Sequence, residues 1–209
     1  MINKQFPAAL FQYIPEPSHD YIARLIQNDQ LVITIKNERK TRHGDYKQLA
    51  TNQYQITVNN NLNQYRFLIT LVHEIAHFET YQKYHRVVKP HGKEWKYTFQ
   101  RLMLPLINPT IFPTDLVPLI ANHFRNPKAS SDTDVQLSQA LRRYDLINEK
   151  TYIHEIKLGT QFKIYNGRTF KRGKKRTKRY ECLEISSGKL YLFNANAEVE
   201  IIDLKAAIK

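Results

Sequence analysis

His73-Glu74-Ile75-Ala76-His77 lies inside a run, residues 62–84, whose apolar positions Leu62, Tyr65, Ile69, Val72 and Ala76 recur at helical spacing. At about 100° per residue these five fall within an arc of roughly 80°, which predicts one long amphipathic helix with a single buried stripe. His73 and His77 stand one turn apart at the edge of that stripe, so their imidazoles converge on one ion. Glu74 points roughly 60–100° further round, where it can hold a water beside the ion without being a ligand. The competing reading makes the pair surface histidines of an ordinary amphipathic helix.

A catalytic zinc takes a third protein ligand and leaves its fourth position open. Glu79 lies about 160° round the helix from His77 and faces the wrong way. His85 is about 12 Å of axial rise beyond His77, out of reach of the same ion unless the helix breaks first. His91 falls in the turn Pro90-His91-Gly92, where the chain must reverse; a turn residue can be aimed back at the ion, and Gly92 lets the backbone come close. His91 is therefore the favoured third ligand, with His85 and an unidentified acid as the remaining alternatives. Position 83 is Lys83, so the longer H-E-x-x-H-x-x-G-x-x-H pattern of the metzincins is absent.

Outward from this core, Ser18 and Asp20 open a helix carrying Tyr21, Ile22, Leu25 and Ile26. Residues 31–35 and about 54–58 read as strands, separated by the basic loop Arg39-Lys40-Thr41-Arg42-His43-Gly44. The cluster Asn59-Asn60-Asn61 stops the second strand and caps the long helix. A second helix is expected over about 93–104 with Trp95, Phe99, Leu102 and Met103 inward. A segment punctuated by Pro105, Pro109, Pro113 and Pro118 then holds one short helix ending near Phe124. Residues 126–134 read as a linker, followed by a helix near 135–144.

Beyond residue 150 the period changes. Residues 162–165, 169–171, 179–185, 190–193 and 199–202 read as short strands, with turns at Asn166-Gly167, Gly173 and Ser187-Gly188. The expected fold is α+β: a metal-bearing domain over 1–125, a linker and helix over 126–150, and a basic antiparallel β module over 151–209.

Of the 209 residues, 42% are hydrophobic and 11% aromatic, which excludes global disorder. The single cysteine, Cys182, excludes an intramolecular disulfide framework and a four-cysteine zinc ribbon, and reads as a small buried hydrophobe. No apolar run approaches bilayer length, and the first fifteen residues are too interrupted for a secretory signal. The expected compartment is the cytoplasm, with no membrane partner; oligomeric state is not legible.

Net charge is +13, from 32 Lys and Arg against 19 Asp and Glu, and the last 59 residues hold 13 of those cations against 6 of the acids. Such a surplus favours polyanions, nucleic acid first. It peaks at Lys171-Arg172-Gly173-Lys174-Lys175-Arg176-Thr177-Lys178-Arg179, which reads as a hairpin tip. All seven of its cations are candidate phosphate contacts, with Tyr165, Phe170 and Tyr180 near enough to stack bases. Alternatively those aromatics form the hairpin's own core and the charges a solvated edge. Arg39, Lys40 and Arg42 add to the same field or form a solvated loop. His19, His43, His123 and His154 have no ligand spacing and read as surface or satisfied core residues. Tyr81 and Tyr84, on the metal edge of the helix, read as packing residues.

His73-Glu74-Ile75-Ala76-His77 followed by His91-Gly92-Lys93-Glu94-Trp95 resembles the SprT-like (Spartan-type) zinc metallopeptidase domain family, where H-E-[hydrophobic]-x-H precedes H-G-x-x-[Trp/Phe]. Arg39, Arg42 and Gly44, then Asn60 before the helix, also look like it, and the resemblance spans about residues 20–104. Many such proteins continue into a zinc ribbon with two cysteine pairs. Here the ribbon's sheet would survive without metal, cored by Phe162, Ile164, Phe170, Tyr180, Leu183, Tyr191 and Phe193. The resemblance implies hydrolysis of peptide bonds, with one zinc ion at His73, His77 and His91 and Glu74 moving the proton from water to the leaving amine. With the basic tail, it further implies protein substrates attached to DNA. Separately, because no pro-segment is evident to restrain a protease, the basic tail is expected to couple polyanion binding to cleft opening. Two alternatives stay open: a non-enzymatic nucleic-acid-binding protein with a structural metal site, and a metal-dependent hydrolase of a non-peptide bond.

Overall fold

The computed structural model describes residues 8–145 and 150–202 of the chain, which divides into two compact units, Met1–Leu146 and Ile147–Lys209. The first unit is built, in order, from α1 (His19–Ile26), β1 (Leu31–Lys36), β2 (Gly44–Ala50), β3 (Gln53–Asn59), α2 (Gln64–Tyr84), α3 (Lys93–Met103), α4 (Val117–Phe124) and α5 (Val135–Arg142). β3 is central. It pairs in parallel with β1, Leu31 opposite Tyr54, and antiparallel with β2, Gly44 opposite Val58. β2 has no counterpart in the sequence reading because its residues are mostly exposed and do not alternate; the β3 ladder holds it as an edge strand.

Asn63, not the Asn59–Asn61 cluster, caps α2: its Oδ1 accepts from the backbone N–H of Tyr65 (3.1 Å) and Arg66 (3.0 Å). Asn59 is buried and ties down the basic loop instead. Its Nδ2 donates to the carbonyls of Arg39 (3.2 Å) and Arg42 (2.8 Å), while its Oδ1 accepts from Arg39 Nε (2.8 Å). Nor does α2 bury a single stripe. Phe67, Leu68, Leu71, Ile75 and Phe78 are buried along with Ile69, Val72 and Ala76, as befits a helix that runs through a core rather than over it. β2, β3, α3 and the 3-10 turn Ala8–Tyr13 pack on it.

Residues 126–134 are not a linker. Asp132 accepts a 2.5 Å bond from Arg66 and lies 2.8 Å from His43, and Asp134 caps α5 and pairs with His123 at 3.1 Å. Beyond them Leu137 and Leu141 are fully buried. The polar composition that reads as a connector is spent on bonds into the first unit, which therefore runs past residue 125. Residues 146–149, the rest of the expected connector, lie outside the described residues.

The second unit is a sheet in the order β4-β9-β5-β6-β7-β8, every neighbour antiparallel. Its strands are β4 (Thr151–Tyr152), β5 (Gln161–Lys163), β6 (Thr169–Lys175), β7 (Arg179–Glu184), β8 (Leu190–Asn194) and β9 (Glu198–Ile201). Ile153, Phe162, Phe170, Tyr180, Cys182 and Val199 form its buried centre, and Tyr191 and Phe193 set their ring edges on Phe170. Leu183 is not part of that core. β7 turns Tyr180, Cys182 and Glu184 inward, so Leu183 faces out and is 39% exposed. Among the described residues no helix is long and apolar enough to cross a membrane.

Candidate metal centre

The central position of α2 brings its two histidines to a wall of aromatic rings. The helix ends at Tyr84, His85 takes a positive φ of 52°, and a short 3-10 turn leads to Pro90. His91 itself sits at φ 57°, a left-handed conformation that costs a residue with a Cβ about 1–2 kcal/mol. Gly92 makes the reversal possible, because a Cβ there would stand 2.8 Å from the Lys89 carbonyl oxygen. The turn aims His91 back at α2.

The three Nε2 atoms stand 3.1 Å (His73–His77), 2.9 Å (His77–His91) and 3.3 Å (His91–His73) apart. A tetrahedral ion with Zn–N bonds of about 2.0–2.1 Å spaces its nitrogens by roughly 3.3 Å. Hydrogen bonding cannot account for the triangle, since each neutral Nε2 either donates once or accepts. Burial first, then mutual repulsion, pushes the pKa of His73 down to about 2 and that of His77 to about 3, and burial also lowers His91. Three lone pairs held neutral and aimed at one point fit a cation. Among the described residues no further His, Cys, Asp or Glu joins the group, so a tetrahedral ion held by these three would have one position left for water or substrate.

Trp95, fully buried on α3, packs against all three rings with centroids 4.7, 5.2 and 4.7 Å from those of His73, His77 and His91. Tyr46 of β2 lies nearly parallel to His77 at 6.3 Å and Phe99 meets His73 edge-on at 5.3 Å. These contacts fix the ring planes.

Glu74 is buried beside the triad and is not one of its members. Burial, reinforced by Asp45 and opposed by Arg39 and Arg42, raises its carboxyl to about 8. Gly44, the first residue of β2, lies against it: a Cβ there would come within 2.6 Å of Glu74 Oε1 and 2.8 Å of Thr70 Cγ2. The sequence shows Gly44 and Tyr46 only as members of a basic loop and its sequel, since nothing local signals that they face α2.

The other candidates fall elsewhere. Glu79 is ion-paired with Arg101, and His85 is exposed with its ring against Tyr81. Tyr81 donates to Gln48 Oε1 at 2.9 Å within an aromatic cluster, and the ring of Tyr84 lies under Lys83.

In the second unit the basic run occupies the end of β6, the connection and the start of β7. Arg172 and Lys175 cover the Tyr180 ring at 4.5 and 5.9 Å, and Arg176 pairs with Glu181. Lys171, Lys174, Lys178 and Arg179 have no ion-pair partner among the described residues. Phe170 and Tyr180 are core, leaving Tyr165, 66% exposed, as the aromatic open to a base. Burial raises the Cys182 thiol to about 11, an inert packing residue.

Residues 15–112 match the SprT-like family, a segment that contains the triad, Glu74, Gly44 and Trp95. No curated protein and no solved structure matches the chain.

Proposed function

With residues 15–112 forming a SprT-like domain, we propose that the chain is a zinc-dependent peptidase acting on proteins held on DNA. The observation that carries the reading is the neutral His73–His77–His91 triangle with an acid beside it that is not a ligand. A purely structural site has no use for such an acid. When bound, zinc supplies Lewis acidity toward a water and a scissile carbonyl. Glu74 Oε1, which a neighbouring dication would favour in its ionised form, takes the proton of the attacking water and passes it to the leaving amine. Trp95 and Tyr46 keep the His77 plane fixed. The four unpaired cations of the β6–β7 hairpin and exposed Tyr165 support contact with single-stranded DNA without sequence preference.

The test is cleavage of a basic protein by the zinc-loaded chain, with and without single-stranded DNA. Glu74→Gln is expected to retain one zinc per chain while losing activity at least about 10²-fold, whereas His77→Ala loses both. Cleavage that needs DNA, and no longer responds to it when Lys171, Lys174, Lys178 and Arg179 are changed to alanine, supports the whole reading. Cleavage indifferent to DNA keeps the peptidase and leaves the hairpin a structural role. A zinc-loaded chain that cleaves nothing favours the non-enzymatic, structural-metal alternative, and a Glu74→Gln variant as fast as wild type overturns the role given to Glu74.

A further inference from the structure

Glu74 is buried, and its Oε1 lies close against the backbone at Gly44, so the direction of the carboxylate is set by what it packs against. One wall is α2 itself, where Arg66, Thr70 and Glu74 follow at intervals of four and share a face. The other is the backbone at Gly44. The width of the gap between them decides where the carboxylate points.

Asp132 spans that gap. Its Oδ1 accepts from Arg66 Nη1 of α2 at 2.5 Å and from Ser138 Oγ at 3.3 Å, and its Oδ2 lies 2.8 Å from His43 Nε2, one residue before Gly44. Arg66 Nη2 in turn donates to the Ser138 carbonyl at 3.1 Å, and Asp132 N–H donates to Ser130 Oγ at 3.1 Å, so the carboxylate is rigidly placed. Although burial pushes its pKa up, hydrogen bonding and charge from His43 and Arg66 hold it well below the usual carboxylate range. An ionised carboxylate only accepts, so His43 Nε2 is the donor. The His43 main chain is tied to the sheet separately, its carbonyl accepting from Asn59 N–H at 2.9 Å.

We propose that His43 and Asp132 are positioning residues for Glu74: their bond sets the spacing between α2 and the start of β2, and so holds the carboxylate toward the histidine triad. The proposal rests on the peptidase reading above. Both side chains are 38% exposed, and a polar pair at that exposure adds little to the stability of a domain, so its removal acts on geometry more than on folding. A displacement of the order of 1 Å at a reacting group costs up to about 10²-fold in rate.

The experiment compares full-length, zinc-loaded wild type, His43→Ala and His43→Gln in kcat, KM, zinc content and amide hydrogen exchange at residues 43–46. His43→Ala is expected to lower kcat about tenfold with KM and zinc content unchanged, and to speed exchange at 43–46. His43→Gln, whose side-chain N–H reaches the place of imidazole Nε2, is expected to restore most of both. An unchanged kcat in His43→Ala, a loss that His43→Gln does not relieve, or a loss that tracks missing zinc overturns the proposal. The peptidase reading fails separately, by an inactive wild type. In that event exchange alone decides: faster exchange in His43→Ala and recovery in His43→Gln uphold the tie, and unchanged protection removes it.

Discussion

A methyl group built on Gly44 would stand 2.6 Å from Glu74 Oε1 and 2.9 Å from Glu74 Cγ, closer than real Cβ atoms approach such neighbours. Either the strand or the carboxylate must move, and the strand is held by its ladder to β3. Gly44→Ala is therefore expected to keep zinc, whose ligands lie on other residues, and to lose about 10²-fold in kcat, measured beside zinc content by mass spectrometry. Full activity in that variant would show that Glu74 tolerates displacement. Glu74 also carries an electrostatic conflict: burial favours the protonated form, whereas a dication held by the histidines would favour the carboxylate. His73 and His77 carry no such conflict, because burial already holds them in the neutral form that ligates.

At the scale of elements, β7 shows why a strand's inward face is not always its most apolar one. Glu184 points into the second unit because Arg168 Nε donates to it at 2.6 Å and the Ser187 hydroxyl donates as well, and these bonds lower its pKa to about 2. The folded-state pKa lies below the unfolded value near 4.5, so the bonded carboxylate stabilises the fold above pH 4.5. That contribution is lost as pH falls from about 4.5 toward 2. Arg168→Ala is expected to lower the thermal midpoint at pH 6 and to flatten its dependence on pH between 4.5 and 2. Equal slopes in variant and wild type would remove Arg168 as the cause. α2 teaches a related lesson: its apolar residues cover more than one face, and counting only the five that align hides Phe67, Leu71 and Phe78 from view.

For the molecule as a whole, the first unit is complete only with α5. Leu137 and Leu141 are fully buried, and losing both removes about 4 kcal/mol of apolar burial, a large share of the roughly 5–15 kcal/mol that holds a domain folded. The pairs Asp132–Arg66 and Asp134–His123 go with them. A chain ending at residue 125 is expected to unfold at much lower urea than one ending at 146, and only the longer one should bind zinc stoichiometrically at neutral pH. Equal midpoints would restore the linker reading of residues 126–134.

What the sequence determined by itself is local or nearly so. Two histidines four apart on a helix share a face by the period of the helix, and a histidine in a Pro-His-Gly turn is free to point back, so the triad and its acid were legible from spacing. The helix order of the first unit and five of the six described strands of the second followed from periodicity and turn residues; the two-residue β4 was missed, and Gly173, expected as a turn, lies within β6. Tertiary structure alone decided what faces Glu74. Gly44 and Glu74 are far apart in the chain, and His43 and Asp132 are separated by 89 residues, so no local pattern reports that they meet. The same holds for the polar stretch at 126–134 and for Glu184. A polar side chain reads as solvent-facing until its partner is known, and the partner is supplied by the fold.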